Sequence, residues 1–257
     1  MIAARPLIDV RAASPLGRAS PLTKLGVALA WLIALAFTTR LAPPLVVTAA
    51  ALGAGVLLGG IRPADLGRAL VPLWSVAALV ILSNIVFGAA NTDPSATELA
   101  RIGPLRVTGE AVRTALGVGL RILAIGSVGA VIALTTEPTR LIDALTQQVR
   151  IPERFGYGAL AAYQAIPRFA DDLAALRQAR RLRGLRGSWH PRLLVGLLVL
   201  AIRHADRVAL AMDARAFGIG PRTHYREVRW GALDAVIGLG GALVLGVAVA
   251  AGLAATG

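Results

Sequence analysis

The chain has 257 residues, 56% of them hydrophobic, with no cysteine and a formal net charge of +13, and its mean hydropathy is +0.68. A soluble domain is only about 45–50% apolar even with glycine counted, so the excess requires lipid, and the missing cysteine excludes disulfides, thiolate metal sites and cysteine nucleophiles. The charge is almost wholly arginine, because Lys24 is the only lysine, and the placement of those arginines decides between nucleic acid, lipid and protein as their partner.

Residues 1–23 carry Arg5, Arg11 and Arg18 among Pro6 and Pro15 without a helical period. Apolar runs follow in series, so this segment reads as a cytoplasmic tail and not as a cleaved signal peptide. Five runs are candidates to cross a bilayer: Leu25 to Phe37, Leu45 to Ile61, Leu70 to Ala90, Ala115 to Leu134 and Ala232 to Ala255. The first is short against the 20 or so residues a span needs. Arg40 and Pro43-Pro44 break the first two runs into a hairpin. Residues 91–113, with Pro94 and Pro104, read as a loop on the far side, and Gly238, Gly240, Gly241 and Gly246 offer small surfaces for close helix approach in the last span.

Residues 136–229 hold sixteen arginines against eight acids, which by the distribution of basic residues makes them cytoplasmic and places the N-terminus inside. Within them Thr136 is expected to cap an amphipathic helix with Leu141, Ile142, Leu145 and Val149 on one face. A second helix is expected from about Pro167 to near Gly184. A third should run from Pro191 to Arg215, with an apolar stretch Leu193 to Ile202 that should be buried against another helix or the membrane underside. The expected fold class is therefore an all-α integral membrane protein with about five transmembrane helices and a cytoplasmic helical domain. Its parts are a tail at 1–23, a four-helix membrane region at 24–135, the basic segment at 136–229 and a last span at 230–257.

The second and third helices each finish on an arginine beside a small residue, in Leu182-Arg183-Gly184 and Ala214-Arg215-Ala216. Such triplets, taken alone, fit a favourable helix-dipole interaction equally well. In order along the chain stand Ser20-Pro21-Leu22-Thr23-Lys24-Leu25, Leu120-Arg121, Thr135-Thr136-Glu137-Pro138, Ile166-Pro167-Arg168-Phe169, Ala179-Arg180-Arg181-Leu182-Arg183-Gly184 and Ala211-Met212-Asp213-Ala214-Arg215-Ala216-Phe217. With this set the chain resembles the transmembrane T component of energy-coupling factor importers of vitamins and metal ions. It departs from that family's usual pattern at Arg180, Leu182 and Ala216. The resemblance implies two ABC-type ATPase partners that engage Arg183 and Arg215, a small membrane-embedded substrate-binding subunit, and a multi-pass location in a prokaryotic cell membrane.

Lys24 stands outside any glycine-rich phosphate loop, so ATP chemistry is assigned to partner subunits. His190, His204 and His224 are too scattered for a ligand set, and Asp171-Asp172 fits a solvated helix face. The aromatics do not alternate with arginine as a nucleic-acid stacking platform requires. No cofactor, catalytic residue or nucleic-acid partner is expected. Arg121 falls inside the fourth span, where it can snorkel or form an intramembrane tie to a neighbouring helix or partner. The alternative reading is a membrane enzyme or secondary transporter that works without ATPases.

Overall fold

A computed structural model describes residues 14–38, 40–92, 97–102, 105–185, 187, 190–218 and 226–254. The elements are α1 (Pro15–Arg18), α2 (Pro21–Ala36), α3 (Ala42–Leu57), α4 (Pro63–Phe87), a 3-10 turn (Ala89–Thr92), β1 (Glu98–Ile102), β2 (Leu105–Thr108), α5 (Gly109–Thr135), α6 (Pro138–Gln148), α7 (Glu153–Leu182), α8 (Pro191–Ala214) and α9 (Ala232–Ala254). The fold is all-α apart from one antiparallel β-hairpin. Two compact units form, Met1–Glu137 with Arg229–Gly257, and Pro138–Val228.

The first unit is a bundle of five apolar helices. By length and composition α4, α5 and α9 can each cross a bilayer, while α2 and α3 are apolar but have 16 residues each. Helices α2, α3 and α4 start before their apolar runs because proline opens each first turn, where a missing N–H costs no hydrogen bond. Close packing follows the small residues: a Cβ at Gly119 would strike Ile81, one at Gly126 would strike Leu73, and one at Gly241 would strike Val27. Of the four α9 glycines singled out above, only Gly241 makes such an approach; Gly238, Gly240 and Gly246 face open space.

Between α4 and α5 the expected plain loop is a hairpin, braced by Asn91. Its Nδ2 donates to Ile85 O at 2.8 Å, and its Oδ1 accepts from Thr108 N at 3.0 Å. Thr108 in turn caps α5 by accepting from Ala111 N at 3.2 Å. Pro94 and Pro104 lie outside the described residues.

The end of the expected tail is packed, not free. Ser14 caps α1, and Leu16, Ala19 and Ser20 are buried. From there the chain enters a polar clasp. Asp234, 6% exposed in the first turn of α9, accepts from Ser20 N at 2.6 Å, from Thr23 Oγ1 at 3.0 Å and from Gly231 N at 2.9 Å. Lys24, 5% exposed, donates from Nζ to the carbonyl of Thr135, the last residue of α5, at 3.0 Å. The start of α2 is thereby tied to the start of α9 and the end of α5 at one level.

Above the clasp lies an apolar core of Ala28, Trp31, Leu35, Val47, Ala51, Ala124, Val128 and Ala248. Trp31 Nε1 finds its acceptor in Gly241 O at 2.9 Å. A half-open apolar cavity of about 300 Å³ remains among α2, α3, α5 and α9.

The second unit departs from the expected boundaries. Helix α7 begins at Glu153, well before Pro167, which sits inside it; an interior proline removes one backbone bond and kinks a helix without having to end it. Thr136 does not act as the expected cap, since its Oγ1 is buried without a hydrogen-bond partner. The apolar stretch of α8 is largely uncovered: Leu193 is buried, but Leu194, Val195, Leu198, Val199 and Ile202 are exposed.

The clasp is testable by substitution. Replacing Asp234 by Ala strands the Ser20 amide and the Thr23 hydroxyl and should destabilise the full chain in detergent by about 3 kcal/mol, given about 1.5–3 kcal/mol for a hydrogen bond to a charged group. Asp234→Asn, which keeps one acceptor, should lose less. An unchanged unfolding temperature for Asp234→Ala would show that the clasp does not hold the bundle.

Candidate functional site

The two arginine motifs occupy equivalent positions at the ends of α7 and α8. Leu182 and Ala214 are the last helical residues, and Arg183 and Arg215 are the C-caps, with φ and ψ of −83° and 11° for Arg183 and −97° and 13° for Arg215. The next residue in each case turns left-handed, Gly184 at φ 72° and Ala216 at φ 52°.

The hydrogen bonds repeat as well. Gly184 N donates to Arg181 O at 3.0 Å and Leu185 N to Arg180 O at 3.3 Å. Ala216 N donates to Asp213 O at 2.9 Å and Phe217 N to Met212 O at 3.0 Å. Each end is thus a Schellman motif, which satisfies the last helical carbonyls and turns the chain sharply away. The arginine sits immediately before that turn, and both arginines and Leu182 are exposed.

Helices α7 and α8 form an antiparallel hairpin. The ring of Phe169 meets His204 edge-on at 6.1 Å, Tyr157 meets Phe217 at 6.2 Å, and Leu176 borders the space beside Gly196. This register puts Arg215 beside the start of α7 and Arg183 at its end. The two arginines stand roughly 40 Å apart along the helix at 1.5 Å per residue.

The two ends differ in how they are braced. Phe217 packs on Tyr157, whose hydroxyl donates to Asp143 Oδ1 on α6 at 3.1 Å. Arg154 Nη2 donates to Gly218 O at 3.4 Å. Burial, followed by the hydrogen bond and charge of Asp143, pushes the Tyr157 hydroxyl above its ordinary value, so it stays protonated and keeps donating at neutral pH. The C-terminal side of the unit is also pinned to α6, because Gln147 donates to Arg226 O at 2.7 Å and accepts from Val228 N at 2.8 Å. Ser20, Thr23, Asp234, Tyr157 and Phe217 were not marked as structural partners by sequence reasoning. Their contacts join positions far apart in the chain and leave no local pattern.

Arg121 lies on the α5 face that carries Gly117, Ala124 and Val128, all buried. Its Nε is buried without a hydrogen-bond partner. Among the described residues no group of three or more His, Asp or Glu is arranged to hold a metal ion.

Ala216 is the one motif residue in a conformation its side chain disfavours. Ala216→Gly should stabilise the chain by about 1 kcal/mol, because the left-handed region costs an L-residue about 1–2 kcal/mol while glycine gives back part of that in unfolded-state entropy. Thermal unfolding of the pair of proteins checks this, and a less stable glycine variant would refute the assigned geometry.

Residues 12–225 match the family model CbiQ, described as a cobalt transport protein. The chain is 29% identical over 208 residues to a putative ABC transporter ATP-binding protein of Bifidobacterium longum, covering 74% of this chain and 26% of that protein. It is 28% identical over 178 residues to the energy-coupling factor transporter transmembrane protein EcfT of Heliobacterium modesticaldum, covering 63% of this chain and 65% of the relative. To the EcfT of Limosilactobacillus fermentum it is 26% identical over 240 residues, covering 87% and 88%. The chain thus spans about a quarter of the first of these relatives and just under two thirds of the second. With most of its length inside the family match, and five apolar helices forming its bundle, the chain belongs to the CbiQ family as the transmembrane component of an energy-coupling factor transporter.

Proposed function

We propose that this chain is the scaffold and coupling subunit of its transporter, passing the opening and closing of two ATPase partners to a membrane-embedded substrate-binding subunit. The observation that carries the reading is the duplicated helix end. Two arginines share one backbone geometry, are exposed at opposite ends of a hairpin, and so suit two copies of one groove. Arginine fits the role because its planar fork can grip a carboxylate with two parallel hydrogen bonds and stays charged.

ATP hydrolysis belongs to the partners. The one lysine is buried in the clasp and directed at Thr135 O, and a similar stretch occurs inside a protein named for ATP binding. The exposed stripe of Leu194, Val195, Leu198, Val199 and Ile202 supports an apolar contact with the substrate-binding subunit, which would choose the vitamin or transition-metal ion. In this reading residues 138–228 are cytoplasmic, and so is the N-terminus.

The chain's lack of cysteine gives a clean topology test. Cysteines introduced in loop 91–113 should react with an impermeant maleimide in intact cells, and those within 185–190 should not; the reverse labelling would overturn the orientation. For coupling, Arg183→Ala and Arg215→Ala should each weaken ATPase association by about 2–5 kcal/mol while leaving the chain's own unfolding temperature unchanged. Changing both to Glu should abolish copurification and uptake. Wild-type subunit retention and transport in the double Glu variant would sink the coupling role.

A further inference from the structure

The coupling reading makes no use of the apolar cavity in the helix bundle. Its walls come mainly from α2, α3, α5 and α9, with Trp31, Ala51, Val128 and Gly240 among the lining residues. At about 300 Å³ it has roughly twice the volume of an engineered apolar cavity that takes up benzene. Water is a poor occupant, because a buried water needs two to four polar partners. Among the described residues Lys24 is the only charged one on the wall, and its ammonium is held by Thr135 O.

Two exposed arginines lie close in the chain to residues of the wall. Leu16 and Leu58 line it and are joined by a backbone hydrogen bond, Leu16 N to Leu58 O at 3.1 Å. Arg18 and Arg62 follow those two residues by two and four positions, and both are exposed. From the level of Lys24 to that of Trp31 the wall rises by roughly 10 Å at 1.5 Å per residue, a depth within one leaflet of a hydrocarbon core about 30 Å thick.

We propose that the cavity is a phospholipid site. One acyl chain lies among α2, α3, α5 and α9, and an anionic headgroup stands at the Arg18 and Arg62 end. A hydrocarbon chain matches walls of this chemistry, and two exposed basic residues within four positions of wall residues Leu16 and Leu58 favour a lipid with net negative charge over a zwitterionic one. The site is independent of whether Arg183 and Arg215 engage ATPases.

Trp31 provides the probe, since it lines the cavity and is 7% exposed. The full chain carrying Trp74→Phe, Trp189→Phe and Trp230→Phe leaves Trp31 as the sole indole. It is reconstituted in phosphatidylcholine vesicles with increasing fractions of brominated-chain phosphatidylglycerol or brominated-chain phosphatidylcholine. Quenching of Trp31 should half-saturate at a mole fraction roughly fivefold lower, or more, for phosphatidylglycerol, the scale of one basic residue's attraction to anionic lipid. Gly240→Leu, at a position whose side chain would enter open space, should fill the cavity and leave only shallow quenching that is the same for both lipids. Arg18→Ala with Arg62→Ala alters exposed residues only and should erase the headgroup preference while keeping the chain-dependent quenching. Equal quenching by the two lipids in the parent, or quenching unaffected by Gly240→Leu in a variant with normal thermal stability, would overturn the proposal. So would absence of quenching in the parent, whether the space is filled by residues 1–13 or by nothing.

Discussion

A bilayer interior has no water to satisfy a backbone or a charge, so every polar group that enters it must find its partner in the protein. In this bundle three charged side chains near the helix ends meet that demand by pairing with other helices with a favourable sign. Asp234 sits at the positive end of α9 and accepts from the amide and hydroxyl of Ser20 and Thr23. Lys24 sits at the negative end of α5 and donates to Thr135 O. Arg40 donates to Gly252 O near the end of α9. Each charge complements a helix dipole as well as a hydrogen-bonding group, and the apolar packing of Trp31, Leu35 and Val47 is stacked on the register that these contacts set.

The basic unit obeys a different constraint, because its long helices must end without leaving their last carbonyls unsatisfied. Both α7 and α8 solve this with the same Schellman turn, one built on Gly184 and the other on Ala216. The second solution is the more strained, and it is the one braced from outside, by Phe217 on Tyr157 and Arg154 on Gly218. Among the described residues the first end has no comparable ring contact. The second helix end is tied to the start of the hairpin, although the arginine before each turn has the same backbone conformation.

Reading the sequence reaches the helices and stops short of their ties. Apolar runs at 70–90, 115–134 and 232–255 coincide with the three helices long and apolar enough to cross a bilayer, and those at 25–37 and 45–61 with shorter apolar helices, because composition alone distinguishes such segments. The motif Ser20-Pro21-Leu22-Thr23-Lys24 is visible as a pattern, but its partners Asp234 and Thr135 are over a hundred residues away, and no local signal points to them. Pro167 was read as a helix start and is an interior residue of α7, because packing on α8 outweighs one lost backbone bond. The stripe Leu194 to Ile202 was expected to be covered and is exposed in the chain itself, since a sequence records that a face is apolar but not which molecule covers it. The backbone of Arg183 and Arg215 is equivalent in a way that the differing neighbours, Leu182-Gly184 and Ala214-Ala216, conceal.

Arg121 shows how helix length changes the meaning of a charged residue in a span. Counted along α5 alone, which has 27 residues, it is near the middle, where an arginine is costly. The clasp sets a different reference. Lys24 and Thr135 share a level, α2 runs away from it as α5 runs toward it, and Leu35 and Ala124, each 11 residues from the clasp, belong to the same core cluster. Arg121 lies 14 residues before Thr135 and Thr38 lies 14 after Lys24, so both stand roughly 21 Å beyond the clasp at 1.5 Å per residue. That is the level at which the 16-residue helix α2 has already ended. At that level the apolar wall of α2 has stopped, so Arg121 does not stand at the centre of a uniform 30 Å slab. Counted along its own helix the residue is mid-span, and counted against α2 it is at an edge.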